Sequence, residues 1–260
     1  MDSSTVCHFS LILQSRPEEL FNKRVIDHGT RVFVLGSTCF LFVELFWVAI
    51  DSIVGIRQEI SVFDLELSGR SSCCWAQAVV TAIATTYRFV RGEDLPPLSA
   101  REMQDSLPKK SRLHFGLAYV IKHGGLIQES EYEPQHLGRH FMRYGHIDGY
   151  KMINVYNEAE LFEAIKQRPL LASFEVTEDF QNYKDGVCLG RGRIVGVHAM
   201  LVIGFCTIRM ETGKVEDCWI VQNIWGLEWG SNGCAFVVRN SRDCSRMRLL
   251  DAIEIDLAAA

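Results

Sequence analysis

Trp219-Ile220-Val221-Gln222-Asn223-Ile224-Trp225-Gly226-Leu227-Glu228-Trp229-Gly230-Ser231-Asn232-Gly233 opens as a strand-forming run and closes on two Trp-Gly pairs and a further glycine. The tryptophans and glycines recur too regularly for an ordinary strand and turn. Taken alone, the segment also fits a hairpin stabilised by aromatic packing. What lies on either side of it separates the two readings.

The surrounding sequence after residue 169 has the same extended character. Leu170–Val176, His198–Phe205, Cys218–Val221, Cys234–Val238 and Ala252–Ile255 are short β-branched or aromatic runs between turn residues, and predict strands. Earlier in the chain the period is helical. Trp75, Val79, Ile83 and Tyr87 step by four, and Gly92 and Pro96-Pro97 end the run. Ser99-Ala100-Arg101-Glu102 has the spacing of a capping box. A helix near Leu113–His123 stops at Gly124-Gly125, and Asn157-x-x-Glu160 caps another, Glu158–Lys166, closed by Pro169. Helices first and strands later predict an α+β protein of two lobes, one mainly helical and one a sheet or barrel.

Two further segments carry chemistry. Ser71-Ser72-Cys73-Cys74-Trp75-Ala76 lies where the first helix begins. A thiol there feels the positive end of the helix dipole and unpaired backbone N–H groups, which favour the thiolate. The same residues fit two small buried cysteines beside a core tryptophan. Neighbouring helical positions differ by ~100°, so only one of the two thiols faces a given partner. In Val197-His198-Ala199-Met200-Leu201-Val202-Ile203-Gly204 a single imidazole opens an apolar strand, which alone suits a structural histidine as well as a base.

Together the three segments resemble the papain-like cysteine peptidases. Cys74-Trp75-Ala76 resembles that family's Cys-Trp-Ala-Phe segment, and His198-Ala199 followed by Leu201-Val202-Ile203-Gly204 its His-Ala-Val segment. Asn223-x-Trp225-Gly226-x-x-Trp229-Gly230-x-x-Gly233 is similar to its Asn-Ser-Trp-Gly-x-x-Trp-Gly-x-x-Gly motif. His198 and Asn223 lie 124 and 149 residues after Cys74, and a Cys with a His and an Asn roughly 130–150 residues downstream is the papain-type order. Leu98-Ser99 with Asp105, and Gly124-Gly125-Leu126-Ile127-x-Glu129-x-x-Tyr132, resemble further landmarks of the family.

The resemblance implies a papain-like two-lobe fold over residues 58–260. Its N-terminal lobe is helical, its C-terminal lobe an antiparallel β-barrel-like sheet, and the active site lies between them. It implies a cysteine-type peptidase acting on peptides or proteins through an acyl-thioester, with no metal and no organic cofactor. Cys74, rather than Cys73, is the expected nucleophile, and His198 the base and later the acid toward the leaving amine. Asn223 is expected to orient the imidazole, Trp225 to cover that bond, and the Cys74 backbone N–H to serve as an oxyanion donor.

The chain also departs from the family pattern. Ser68 stands where the family has a glutamine whose amide completes the oxyanion hole, and losing one such donor typically costs ~10²–10³ in turnover. Leu107–Phe115 replaces a Gly-Gly strand that binds substrate backbone. Ser71 and Ser106 fall where the family carries bridged cysteines. These departures leave a catalytically weak or inactive peptide-binding module as the alternative. The family's usual compartments are the lysosome, the vacuole and the extracellular space, whereas the missing cysteines lean toward a reducing interior.

Composition supplies exclusions. A net charge of −5 with mixed signs leaves no basic footprint for nucleic acid. The nine cysteines include no C-x-x-C, so the usual zinc and redox spacings are missing. Residues 1–57 form an N-terminal segment without a recognisable inhibitory propeptide. Within it Val32–Ile50 is apolar apart from Gly36, Ser37, Thr38 and Glu44. That is long enough to span a bilayer, with Lys23, Arg24 and Arg31 on one side, although Glu44 favours a buried apolar segment instead. Finally, a hairpin turning at Glu211-Thr212-Gly213, with Gly213 left-handed and Met210 opposite Lys214, brings Cys206 to face Cys218.

Overall fold

The structure is a computed structural model that describes residues 5–9, 31–35, 74–108, 111–133, 141–210, 213–239 and 247–257. Two short strands come first, β1 (Thr5–Phe9) and β2 (Arg31–Leu35). Three helices follow: α1 (Cys74–Arg91), α2 (Ala100–Ser106) and α3 (Leu113–His123). The predicted stripe of α1 is the buried one, with Trp75, Val79, Ile83 and Tyr87 all in the core. Gly92 ends the helix, its N–H donating to the Arg88 carbonyl at 3.0 Å. α3 packs on α1 through Gly116, where an added Cβ would stand 3.1 Å from Val79 and 3.2 Å from the Trp75 ring.

The capping box is only half formed. Ser99 Oγ accepts the Glu102 N–H at 3.3 Å, as expected. The Glu102 carboxylate, however, does not return to Ser99, whose N–H bonds the Ile127 carbonyl at 2.9 Å. Glu102 is 3% exposed and turns inward to accept from Ile127 N–H and Arg143 Nη1, both at 2.8 Å, and from Tyr119 Oη at 3.1 Å. A buried carboxylate gains more from a cation and several donors than from one exposed cap.

The remaining strands are β3 (Gly149–Ile153), β4 (Leu170–Thr177), β5 (Val187–Cys188), β6 (Ile194–Arg209), β7 (Val215–Gln222), β8 (Cys234–Val238) and β9 (Arg248–Asp256). With two interspersed helices, α4 (Glu158–Gln167) and α5 (Glu178–Gln181), they build one sheet in the order β3-β9-β4-β6-β7-β8-β5. β1 lies against β6 and pairs with β2. The sheet is antiparallel except for β5 and β8, which pair in parallel. The expected antiparallel lobe thus carries one parallel pair: the long hairpin of β6 and β7 intervenes between β5 and β8, so the two can run in the same direction. β3 was not expected, because Gly149–Ile153 is half exposed and lacks apolar alternation; pairing with β9 makes it a strand.

Alternation along β6 divides the core. Ala199 and Leu201 pack with α1 and α3, whereas Met200 and Val202 face a second cluster containing Phe174, Phe180, Trp219 and Trp229. The sheet is thus covered by helices on one face and closed over an aromatic cluster on the other. Of the apolar stretch Val32–Ile50, the first four residues belong to β2, and residues 36–50 lie outside the described residues, as do Ser68, Ser71 and Cys73. No helix among the described residues is long and apolar enough to cross a membrane.

Candidate active site

The Trp-Gly segment is a return loop that holds Asn223 in place. β7 ends at Gln222, and the Asn223 N–H donates to the Gly233 carbonyl at 2.8 Å across the mouth of the loop. Two positions need glycine for this closure. Gly233 is left-handed, with φ 79°, and a Cβ on Gly230, also left-handed, would stand 2.6 Å from the Cys234 carbonyl oxygen. Within the loop Trp225 meets Trp229 edge-on at 5.5 Å, and both rings rest on Phe180, at 5.7 and 4.7 Å.

His198 belongs to the exposed end of β6, where the strand first becomes buried. Its Nε2 lies 2.7 Å from Asn223 Oδ1, and that oxygen also accepts the Ile224 backbone N–H at 2.8 Å. An amide turned the other way would bring its NH₂ against the Ile224 N–H, so the oxygen must be where it is. Nε2 therefore donates, and the neutral ring keeps its lone pair on Nδ1. His198 and Asn223 are 5% and 6% exposed, and the Trp225 ring lies over the imidazole at 4.5 Å between centroids, tilted by 33°. Burial pushes the imidazole down to about 4, against the opposing influence of the Asn223 bond. At neutral pH the ring is an uncharged base.

Cys74 is the first residue of α1 and is half buried. It packs against the cluster that contains Trp75, Ala199 and Ile224, and Trp225 borders the same cluster. Ala199 and Ile224 directly follow His198 and Asn223, so the helix start and the flanks of both other residues border the same hydrophobic core. Ser68, the remaining expected site residue, lies outside the described residues. Of the region that replaces the family's Gly-Gly strand, Leu107 borders the helical core, and Phe115 is 51% exposed. Among the described residues, no group of three or more His, Cys, Asp or Glu could hold a metal ion. Two contributors were not anticipated. Phe180, under the tryptophans, carries no sequence signal, and the Ile224 N–H is a backbone group that only the fold can aim.

A helical layer set against a mostly antiparallel sheet, with a helix-start thiol and a buried His–Asn pair under a tryptophan, defines the papain-like fold. Solved structures agree at this level. The bromelain protease of Ananas comosus in complex with the E64 inhibitor superposes with a TM-score of 0.58 at 23% identity, over 72% of this chain and 90% of that one. The Carica candamarcensis cysteine protease CMS1MS2 in complex with E-64 gives 0.57 at 24% identity, over 73% and 90%. The chain belongs to the papain family: the sequence model described as papain family cysteine protease matches residues 51–251. Among curated relatives it is 28% identical to zingipain-2 of Zingiber officinale, over 71% of this chain and 86% of that protein. It is 29% identical to the probable cysteine protease RD21B of Arabidopsis thaliana, over 74% of this chain and 43% of that protein. The chain thus spans only about half the length of several relatives it matches, such as the 56% covered in probable cysteine protease RDL2 of the same plant.

Proposed function

We propose that this protein hydrolyses peptide bonds as a cysteine peptidase, with a catalytic domain at residues 58–260. Cys74 is the nucleophile, and its thiolate attacks the scissile carbonyl to form an acyl-thioester. His198 takes the thiol proton on Nδ1 and returns it to the leaving amine; a water activated by the same nitrogen then releases the acyl group. Asn223 is the positioning residue that holds the ring in the Nε2–H tautomer, and Trp225 keeps water from competing for that bond. The Cys74 backbone N–H serves as one oxyanion donor, and a serine at 68 is shorter than the glutamine with which the family supplies the second.

The observation that carries this reading is the 2.7 Å bond from His198 to Asn223, buried beneath Trp225. It leaves the proton-accepting nitrogen of a neutral imidazole uncommitted by Asn223. Membership of the papain family supports the same roles.

Labelling with an epoxide or vinyl-sulfone thiol trap, followed by peptide mapping, tests the proposal. Wild type should label at Cys74, and the Cys74→Ala variant should not label at all. Folded wild-type protein that resists the trap would instead be a peptide-binding module.

A further inference from the structure

We propose that Cys206 and Cys218 form a disulfide that staples β6 to β7, an inference independent of the peptidase reading. The two residues are direct cross-strand partners in the antiparallel ladder. The turn sets that register. Met210 N–H bonds the Lys214 carbonyl and Gly213 N–H bonds the Met210 carbonyl, both at 2.8 Å, with Gly213 at φ 79°. The ladder then runs from Arg209↔Val215 to Cys206↔Cys218 without a shift.

The geometry suits a bridge. Alternation from the Met210–Lys214 bond makes Cys206–Cys218 a hydrogen-bonded pair, for which Cα atoms lie about 5.5 Å apart. Disulfides favour about 5.5–6 Å. Facing Cβ atoms of a hydrogen-bonded pair start near the far end of about 4.5–5.5 Å and need about 3.5–4.5 Å, so closure asks for an approach of about 1–2 Å. The side chains share one apolar cluster with Ile208, Ile220 and Val238, and are 4% and 0% exposed.

Neither Cys234 nor Cys188 competes for Cys218. Cys234 belongs to the same cluster but stands opposite Gln222, four residues along β7 and so about 13 Å of strand away from Cys218. Cys188 pairs with Val237, whose side chain, like that of Trp219, faces the opposite cluster. In the present structure the pair is held as thiols.

The oxidant is a small-molecule disulfide of the glutathione type. One cysteine thiolate attacks it, forming a mixed disulfide and expelling one reagent thiolate. The second cysteine attacks the protein-bound sulfur, closing the bridge and expelling the other. The two cysteine protons go to the two departing thiolates, and the two electrons lost by the protein reduce the reagent. Both sulfurs are buried in the folded chain, so exchange belongs to the stage before the hairpin packs. The redox form then records where the chain folded.

The test is to unfold the full chain and refold it with excess oxidised glutathione or with reduced glutathione. Remaining thiols are alkylated in denaturant and the unreduced digest is mapped by mass. The oxidised sample should contain the Cys206 and Cys218 peptides joined and two hydrogens lighter than their sum, with Cys188 and Cys234 alkylated. It should also melt about 5–10 °C higher than the reduced sample. Cys206→Ser and Cys218→Ser should each abolish the joined peptide, and the wild-type map stands without them. Alkylation of both residues after oxidative refolding overturns the proposal, as does either one joined to a different cysteine.

Discussion

Oδ1 of Asn223 receives two donors at once, Nε2–H of His198 and the backbone N–H of Ile224, at 2.7 and 2.8 Å. The backbone donor decides which way the amide faces, and the amide in turn decides the histidine tautomer. Which ring nitrogen keeps its lone pair is therefore set by a main-chain group. Replacing Asn223 by Ala should lower kcat/KM about 10²-fold through loss of ring orientation. Asn223→Asp can still accept both bonds, but it adds a negative charge beside a buried imidazole and should move the acidic limb of the pH–rate profile upward. An Asn223→Asp profile that overlays wild type would argue against direct coupling of the two side chains.

Stability should fall with acid in a particular window. His198 is held at about 4 by burial, below the ordinary value near 6.5, so between these values the unfolded chain binds more protons than the folded one. Stability is then full above pH about 6.5 and declines as pH falls toward about 4, by roughly 3 kcal/mol from this group. Urea unfolding at pH 7 and pH 4.5 measures it. The pH-dependent loss should be smaller in His198→Gln, which cannot titrate, and an equal loss in both proteins would contradict the assignment.

Ser68 offers a gain-of-function test. Its hydroxyl is too short to deliver a donor by the route a glutamine side chain takes. Ser68→Gln should raise kcat by about 10²-fold with little change in KM, because an oxyanion donor acts on the transition state. A rise confined to KM, or none, would mean that another group already fills that role.

Glu102 holds together the helix-lobe segments around residues 102, 127 and 143. It accepts from Ile127, Arg143 and Tyr119, and the Arg143 side chain is 28% exposed. Glu102→Ala leaves the Ile127 N–H without its acceptor and the Arg143 guanidinium without its carboxylate partner, with only the Gly125 carbonyl remaining to it at 2.9 Å, and should cost about 3 kcal/mol. Chemical denaturation would show this as a lower midpoint at unchanged slope. A cost below about 0.5 kcal/mol would place the residue among ordinary surface positions.

Much of the molecule was legible as one-dimensional pattern. The α1 stripe, the Ser99 and Asn157 caps and the left-handed stops at Gly92 and Gly124 depend on neighbours three or four residues apart, and local sequence specifies them. The facing of Cys206 and Cys218 follows from a tight turn and a period of two, so counting residues was enough. Cys74, His198 and Asn223 were singled out by their flanking motifs. Other features depend on partners distant in the chain. The inward turn of Glu102, the strand character of Gly149–Ile153, the parallel pairing of β5 with β8 and the Phe180 platform arise only when separate segments meet. The same holds for the charge state of His198: imidazole chemistry is written in the residue, but its suppressed basicity comes from the water-free surroundings that folding creates.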